Sequence, residues 1–326
     1  MAVAPHMLAL QDLAAAGRVT IIGGHARSAP ARAAFAARWN APVFAEQAAL
    51  LAAPGLDLVL VLTPPGAHLP VAEAVIAARH HLIVEKPLEL TVARGEALVA
   101  TAEAAGVRCG VCLQHRFRPA ALRLKAVLEA GGLGQALSAS ASIRWWRDAA
   151  YFAQAGRGTM ARDGGGVLLT QAIHTIDLLL HLMGPVRDVA GFAVTSPLRA
   201  IDTEDIAAAA LRFESGAIGV LDATSVARPG FAERIEIAGT QGSAVLSAHQ
   251  LELHGADGAP PEFFGEGGSG GGGADPMAFD HGPHRALIAE MLDAITQDRE
   301  PSNSARSALP VQRLIEALLA DAAKRA

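Results

Sequence analysis

The first third of the chain alternates short, almost wholly apolar runs with stretches of helical period, and this limits the fold more than any other feature. Residues 56–62 read Leu-Asp-Leu-Val-Leu-Val-Leu, residues 82–84 read Leu-Ile-Val, and residues 107–113 read Val-Arg-Cys-Gly-Val-Cys-Leu. Runs without polar alternation suit strands buried on both faces, and such strands belong to parallel sheets. Parallel neighbours need long crossovers, which the helical stretches between the runs (about 13 residues after Gly66, and 91–105) supply. A further buried strand is expected at 18–23, between a helix at 6–16 that Pro5 can open and Gly17 can end, and a helix at 30–39 opened by Pro30. The expected product is a parallel sheet with right-handed crossovers.

After residue 114 the pattern changes. A helix at 119–130 ends at Gly131-Gly132, a strand follows at 136–147, and a helix spans about 166–182. Strands at 186–195, 203–213, 216–227, 231–240 and 243–254 then follow with little helix between them, and residues 281–298 and 307–325 close the chain as helices. Alternation and tight turns such as Glu214-Ser215-Gly216 predict an antiparallel sheet with one face covered. The expected fold is therefore α/β: a Rossmann-type parallel-sheet domain over 1–114 and an α+β domain with an open antiparallel sheet over 115–326. A length of 326 residues suits two domains.

A net charge of −5 and the lack of a basic run argue against nucleic-acid partners. No apolar run reaches 18 residues and no signal-peptide pattern opens the chain, so no membrane partner and a cytoplasmic location are expected. The glycine-rich run at 265–273 has no strand leading into it and no lysine after it, and reads as a flexible surface loop rather than a phosphate loop. Cys109 and Cys112 lie three apart on a strand, so their thiols diverge; without a second cysteine pair they read as inert buried thiols, and no metal is expected.

The chemistry gathers at Glu85-Lys86-Pro87, where the strand at 82–84 ends. Ligands of open α/β sheets collect at the C-terminal ends of strands. The chain has 27 Lys plus Arg, yet only Lys86, Lys125 and Lys324 are lysines. A lysine kept at a strand end in so arginine-biased a chain suits a group that must release a proton. A second candidate is the helix after Gly164-Gly165-Gly166, a triple glycine that lets backbone approach a ligand. There Thr170, His174, Asp177 and His181 form a polar stripe beside Leu168, Ile173, Ile176 and Leu180. Asp177 and His181 read as a self-satisfied core pair, and His174 as a site residue.

One expected part is missing. A nucleotide domain usually opens with a strand and a Gly-x-Gly turn whose helix N-terminus holds the pyrophosphate. Here only Met1 to Ala4 precede the first helix, and loss of an upstream segment relative to an ancestral form is the expectation. At the end of the 18–23 strand, Arg27, Ser28 and Arg32 stand where an enzyme selective for NAD usually has an acid. That set suits a 2′-phosphate, so NADP is preferred over NAD.

Thr63-Pro64-Pro65 with His68, Glu85-Lys86-Pro87, Gln114-His115-Arg116-Phe117-Arg118-Pro119, and the triple glycine followed by His174 and Asp177 together resemble the Gfo/Idh/MocA (glucose–fructose oxidoreductase/inositol dehydrogenase) family in order and spacing. The resemblance runs over nearly the whole chain. It implies a nicotinamide-dependent dehydrogenase in which Lys86 and His174 act at the carbon that loses hydride. Thr63, Pro64, His68, Glu85 and Lys86 would line the cofactor side, with Gln114 and Arg116 near the nicotinamide. Many members carry Asp four residues before the histidine, where this chain has Thr170. Trp146, Arg147, Tyr151 and Arg157 look like the branch acting on sugars, including nucleotide-linked sugar acids, and are candidate substrate contacts beside Thr170.

The function expected is oxidation of a secondary hydroxyl on a sugar, sugar acid or polyol, by a homodimer or homotetramer formed through the C-terminal sheet. The alternatives are a sugar or nucleotide sensor or inactive homologue that keeps the fold, and a structural partner protein.

Overall fold

The structure is a computed structural model that describes residues 3–265 and 280–325. The glycine-rich run at 265–273 lies, apart from Gly265, outside the described residues.

The first half reads α1 (Val3–Ala15), β1 (Gly24–His25), α2 (Ala29–Trp39), β2 (Val43–Phe44), α3 (Gln47–Leu51), β3 (Leu58–Val61), α4 (His68–Ala77), β4 (His81–Val84), α5 (Val92–Ala104), β5 (Cys109–Val111) and α6 (Pro119–Glu129). β3, β4 and β5 pair in parallel in that order, and β1 pairs in parallel with β2 in a separate two-stranded sheet. The apolar runs built the expected parallel ladder because Leu82, Ile83 and Val84 are fully buried between layers.

The strand expected at 18–23 is a correction. Residues 19–23 are unpaired, and pairing starts only at Gly24. An apolar segment becomes a strand only where a neighbour accepts its hydrogen bonds. Among the described residues no strand joins the β1–β2 pair to β3, and that gap is where the first strand of a doubly wound sheet would lie.

The second half continues with β6 (Ala136–Arg144), short helices α7 (Ala149–Phe152) and α8 (Met160–Asp163), a π turn (Leu168–Ala172) running into α9 (Ile173–Met183), then β7 (Val186–Val194), β8 (Ile206–Phe213), β9 (Ile218–Thr224), β10 (Arg234–Gly239), β11 (Gly242–Ser247), β12 (Gln250–Gly255), β13 (Glu262–Phe264), α10 (Gly282–Thr296) and α11 (Ala305–Ala323). The eight strands form one sheet in the order β13-β12-β11-β10-β6-β9-β8-β7. Only β6 and β9 pair in parallel, so the sheet is mixed and largely antiparallel.

Alternation along β8 puts Ala207, Ala209, Leu211 and Phe213 inward, against the helix layer that includes the buried α9. The run Met160–Met183 is long and apolar enough to cross a membrane, but 83% of its apolar window is buried inside the molecule, as in a core helix. A second apolar cluster joins α1 (Ala9, Leu13) and α10 (Leu287, Ile288, Met291) to Ile83 and Cys112. The chain's end thus returns to cover the nucleotide-type sheet, and Cys109 and Cys112 fall into different clusters, as their spacing implies.

Candidate active site

Lys86 follows β4 directly, and its Nζ donates to the Thr170 carbonyl oxygen at 2.6 Å. The π turn makes this contact possible: a wider turn displaces backbone groups from the regular helical ladder, a feature frequent at functional sites. Burial lowers the Lys86 pKa from its ordinary value, against the neighbouring Glu85 charge, which raises it. His174, in the first turn of α9, is held well below its ordinary pKa by burial and then by Lys86, so the ring is neutral near pH 7. Its Nδ1 is buried with no hydrogen-bond partner among the described residues, and its ring stacks on His115 with centroids 4.8 Å apart.

The substrate candidates gather beside this pair. Tyr151, the only tyrosine, accepts hydrogen bonds from Arg157 (2.9 Å) and from Gln171 (3.0 Å). The Arg157 guanidinium lies 4.5 Å from the Tyr151 ring centre and that of Arg147 lies 5.6 Å from it. Thr170 donates to the Gly166 carbonyl at 2.6 Å and also contacts Gln171. Tyr151, Arg157, Thr170 and Gln171 line one cleft. Trp146 stands apart from it, with Arg228 at 4.1 Å and Arg199 at 5.5 Å from its ring centre.

Several expected site residues have partners within the protein. Arg116 binds Asp177 through Nε (2.7 Å) and a second donor, and its remaining N–H groups go to Ser302 and Ser307. All five donors of a guanidinium are then spent on the scaffold. Asp177 is therefore paired with Arg116 rather than with His181. His181 keeps a pKa lowered to about 4, by burial and then by Arg116. His68 is fully buried and straps two turns together, with Nε2 2.8 Å from the Thr63 carbonyl and Nδ1 3.0 Å from that of Pro87. The Glu85 carboxylate turns to His6 Nε2 at 2.8 Å; burial, the largest single influence, opposes its charge, but the His6 hydrogen bond and the charges of His6, Lys86 and His284 together hold the carboxyl far below the usual carboxylate range.

The triple glycine approaches protein, not open space. A Cβ on Gly166 would lie 1.7 Å from the Glu204 carbonyl oxygen, and the Glu204 carboxylate accepts from Gly166 N at 2.9 Å and Leu168 N at 3.1 Å. Glu204 thereby caps the start of the long helical segment, where free N–H groups favour an anion. Gln171 and Glu204 were missed in the sequence. Gln171 lies next to Thr170, off the i, i+4 stripe, and only the π turn brings it to Tyr151.

On the cofactor side, Pro64 is exposed, Gln114 is half-buried, and the Thr63 hydroxyl is buried without a partner among the described residues. That orphaned hydroxyl, at the C-terminal end of β3, fits a polar group of a nucleotide. Ser28 caps α2 through Ala31 N and Arg32 braces the carbonyls of Ala26 and Arg27, while the Arg27 side chain is exposed.

A parallel-sheet nucleotide domain joined to a largely antiparallel sheet, with a lysine and a histidine at their junction, defines an oxidoreductase of the Rossmann type. Residues 3–113 match the family model described as oxidoreductase family, NAD-binding Rossmann fold, and residues 121–245 match that of the GFO/IDH/MocA C-terminal domain. The chain belongs to the Gfo/Idh/MocA oxidoreductase family. It is 30% identical over 294 residues to a D-apiose dehydrogenase of Paraburkholderia graminis, covering 84% of this chain and 73% of that one. It is 31% identical over 206 residues to a myo-inositol 2-dehydrogenase of Thermotoga maritima, covering 59% and 57%. The WlbA dehydrogenase of Bordetella pertussis, solved with NADH and UDP-GlcNAcA, superposes with a TM-score of 0.83 at 26% identity, covering 98% of this chain and 93% of that one.

Proposed function

We propose that the chain is an NAD(P)-dependent dehydrogenase oxidising a secondary hydroxyl of a sugar, sugar acid or polyol. The observation that carries the proposal is the half-buried Lys86–Thr170 contact next to buried His174, where a lysine with a lowered pKa meets a neutral histidine beside the Tyr151 cleft. The activities of the apiose and inositol dehydrogenases support the substrate class.

In this reading the bound nicotinamide supplies the hydride acceptor. Thr63 and Pro64 would line the cofactor side, with Gln114 near the nicotinamide. Lys86, its pKa lowered by burial, takes the hydroxyl proton, and His174 hydrogen-bonds the same oxygen and fixes which hydroxyl is presented. Thr170, which cannot ionise, positions Lys86 through its carbonyl and leaves proton transfer to the Lys–His pair. Arg157, Arg147 and Tyr151 favour a substrate with a carboxylate or phosphate. The preference for NADP rests on Arg27, since Ser28 and Arg32 are engaged internally; the solved relative above carries NADH and lends NADP no support. A second copy of the chain covers the outer face of the eight-stranded sheet.

The gap between the β1–β2 pair and β3 favours one second reading, a sugar or nucleotide sensor without turnover. Fluorescence titration with NADPH and NADH, followed by assays on sugars and polyols, separates the two. Micromolar binding with turnover supports the enzyme. In that case Lys86→Met is expected to lower kcat by about 10²–10⁴-fold with nucleotide affinity kept, and His174→Ala to lower it as well. Binding without turnover on any sugar or polyol supports the sensor, and unchanged turnover in both variants overturns the residue assignment.

A further inference from the structure

We infer that His6, Glu85, Cys112 and His284 form a structural binding site for a tetrahedral divalent metal ion, with Zn(II) the best match. The four residues come from four elements: the first turn of α1, the ends of β4 and β5, and the first turn of α10. One donor atom from each lies within 4.8 Å of all the others. A tetrahedral zinc with bonds of about 2.0–2.3 Å holds its donors roughly 3.4–3.8 Å apart, so closing the site needs side-chain adjustment and no movement of the fold.

Burial sets this cluster apart from a surface group of polar residues. His6 is 1% exposed, Cys112 1% and His284 5%, and the Glu85 side chain is 13% exposed. Hydrogen bonding inside the cluster does not satisfy it. His6 Nε2 pairs with Glu85 Oε1, but the Nδ1 atoms of His6 and His284 are both buried without a partner among the described residues. Buried imidazole nitrogens left bare carry a desolvation cost that a coordinating ion removes. The Cys112 thiol makes a long contact, 3.7 Å, to Gln114 Oε1 and interacts with the Glu85 carboxylate beside it.

The donor set of two imidazoles, one thiolate and one carboxylate is that of zinc rather than of calcium or magnesium, which prefer oxygen alone. Binding displaces the Cys112 proton to solvent, and one thiolate with one carboxylate then balances the two positive charges of the ion. All four positions are protein, so the site has no open position for substrate and its role is structural. It ties α1 and α10 to the end of the sheet at the strand that carries Lys86. The inference does not depend on the chain being a dehydrogenase.

The test is metal binding by the full chain, stripped with chelator and titrated with Co(II) and then Zn(II). One Co(II) per chain is expected, with a thiolate-to-metal charge-transfer band that Zn(II) abolishes. The band should vanish in Cys112→Ser and persist in Cys109→Ser, whose thiol lies in the other core cluster. His284→Gln should weaken Zn(II) by ~10-fold or more, and serves in place of Cys112→Ser if that variant does not fold. Absence of the band in the wild-type chain, or Zn(II) affinity unchanged in both Cys112→Ser and His284→Gln, overturns the inference.

Discussion

Arg116 shows how a motif residue can be bound into the scaffold. Its place in the Gln114–Pro119 motif suggested the cofactor, but its five donors hold Asp177 on α9 and the turn before α11. It fastens the helix that carries His174 to the C-terminal helix. Removing one partner of a buried ion pair leaves the other charge uncompensated, at a cost of about 3–5 kcal/mol. Arg116→Met should therefore lower the denaturant midpoint by that equivalent while Asp177 remains. The double variant Arg116→Met/Asp177→Leu should recover part of the loss. A single variant as stable as the wild type would show that the pair holds nothing. Lys86 is the opposite case: its rarity among the cations was visible in the sequence, but the Thr170 carbonyl that positions it was not, because a π turn has no plain sequence pattern.

At the scale of elements, the start of the α9 segment depends on Gly166. A methyl group there collides with the Glu204 backbone, a rigid partner that cannot rotate aside, and shifts the helix start that places Thr170 and His174. Gly166→Ala is expected to lose at least about 1–3 kcal/mol in thermal or denaturant unfolding. Gly165→Ala, whose Cβ meets only the Leu169 side chain at 3.1 Å, should lose less. Equal losses at both positions would remove the special role of Gly166. This scale also shows where periodicity succeeds and fails. The runs at β3, β4 and β5 were legible because they are apolar and have neighbours to pair with. Residues 19–23 carry the same signal yet form no strand, since composition shows that a segment can be buried but not whether a partner lies beside it. Short helices such as α7 and α8 escaped because one turn is too little for a period of 3.6 residues to register.

Across the whole molecule, one broad surface has no covering layer among the described residues. Helices pack on the inner face of the eight-stranded sheet, where Ala209, Leu211 and Phe213 lie. The opposite face exposes Phe192, Val194, Ile218 and Val220, between 49% and 63% each. Register places them in one field: Val220 is opposite Ala210 on β8 and Ser140 on β6, and Phe192 is opposite Ala208. Small residues between the large ones make this face flat, and flat sheets with apolar outer faces associate readily with their own copies. Aqueous exposure of such a field forgoes about 25 cal/mol for each Å² of apolar surface that a partner would cover. The wild-type chain should therefore run as a dimer or tetramer in light scattering at micromolar concentration. Val220→Arg places a charge at the centre of the field without touching Lys86, His174 or the inner core, and should shift the chain towards monomer while its helix and strand content stays unchanged. A wild-type monomer at that concentration, or an oligomer indifferent to Val220→Arg, would show that this face is not where copies meet.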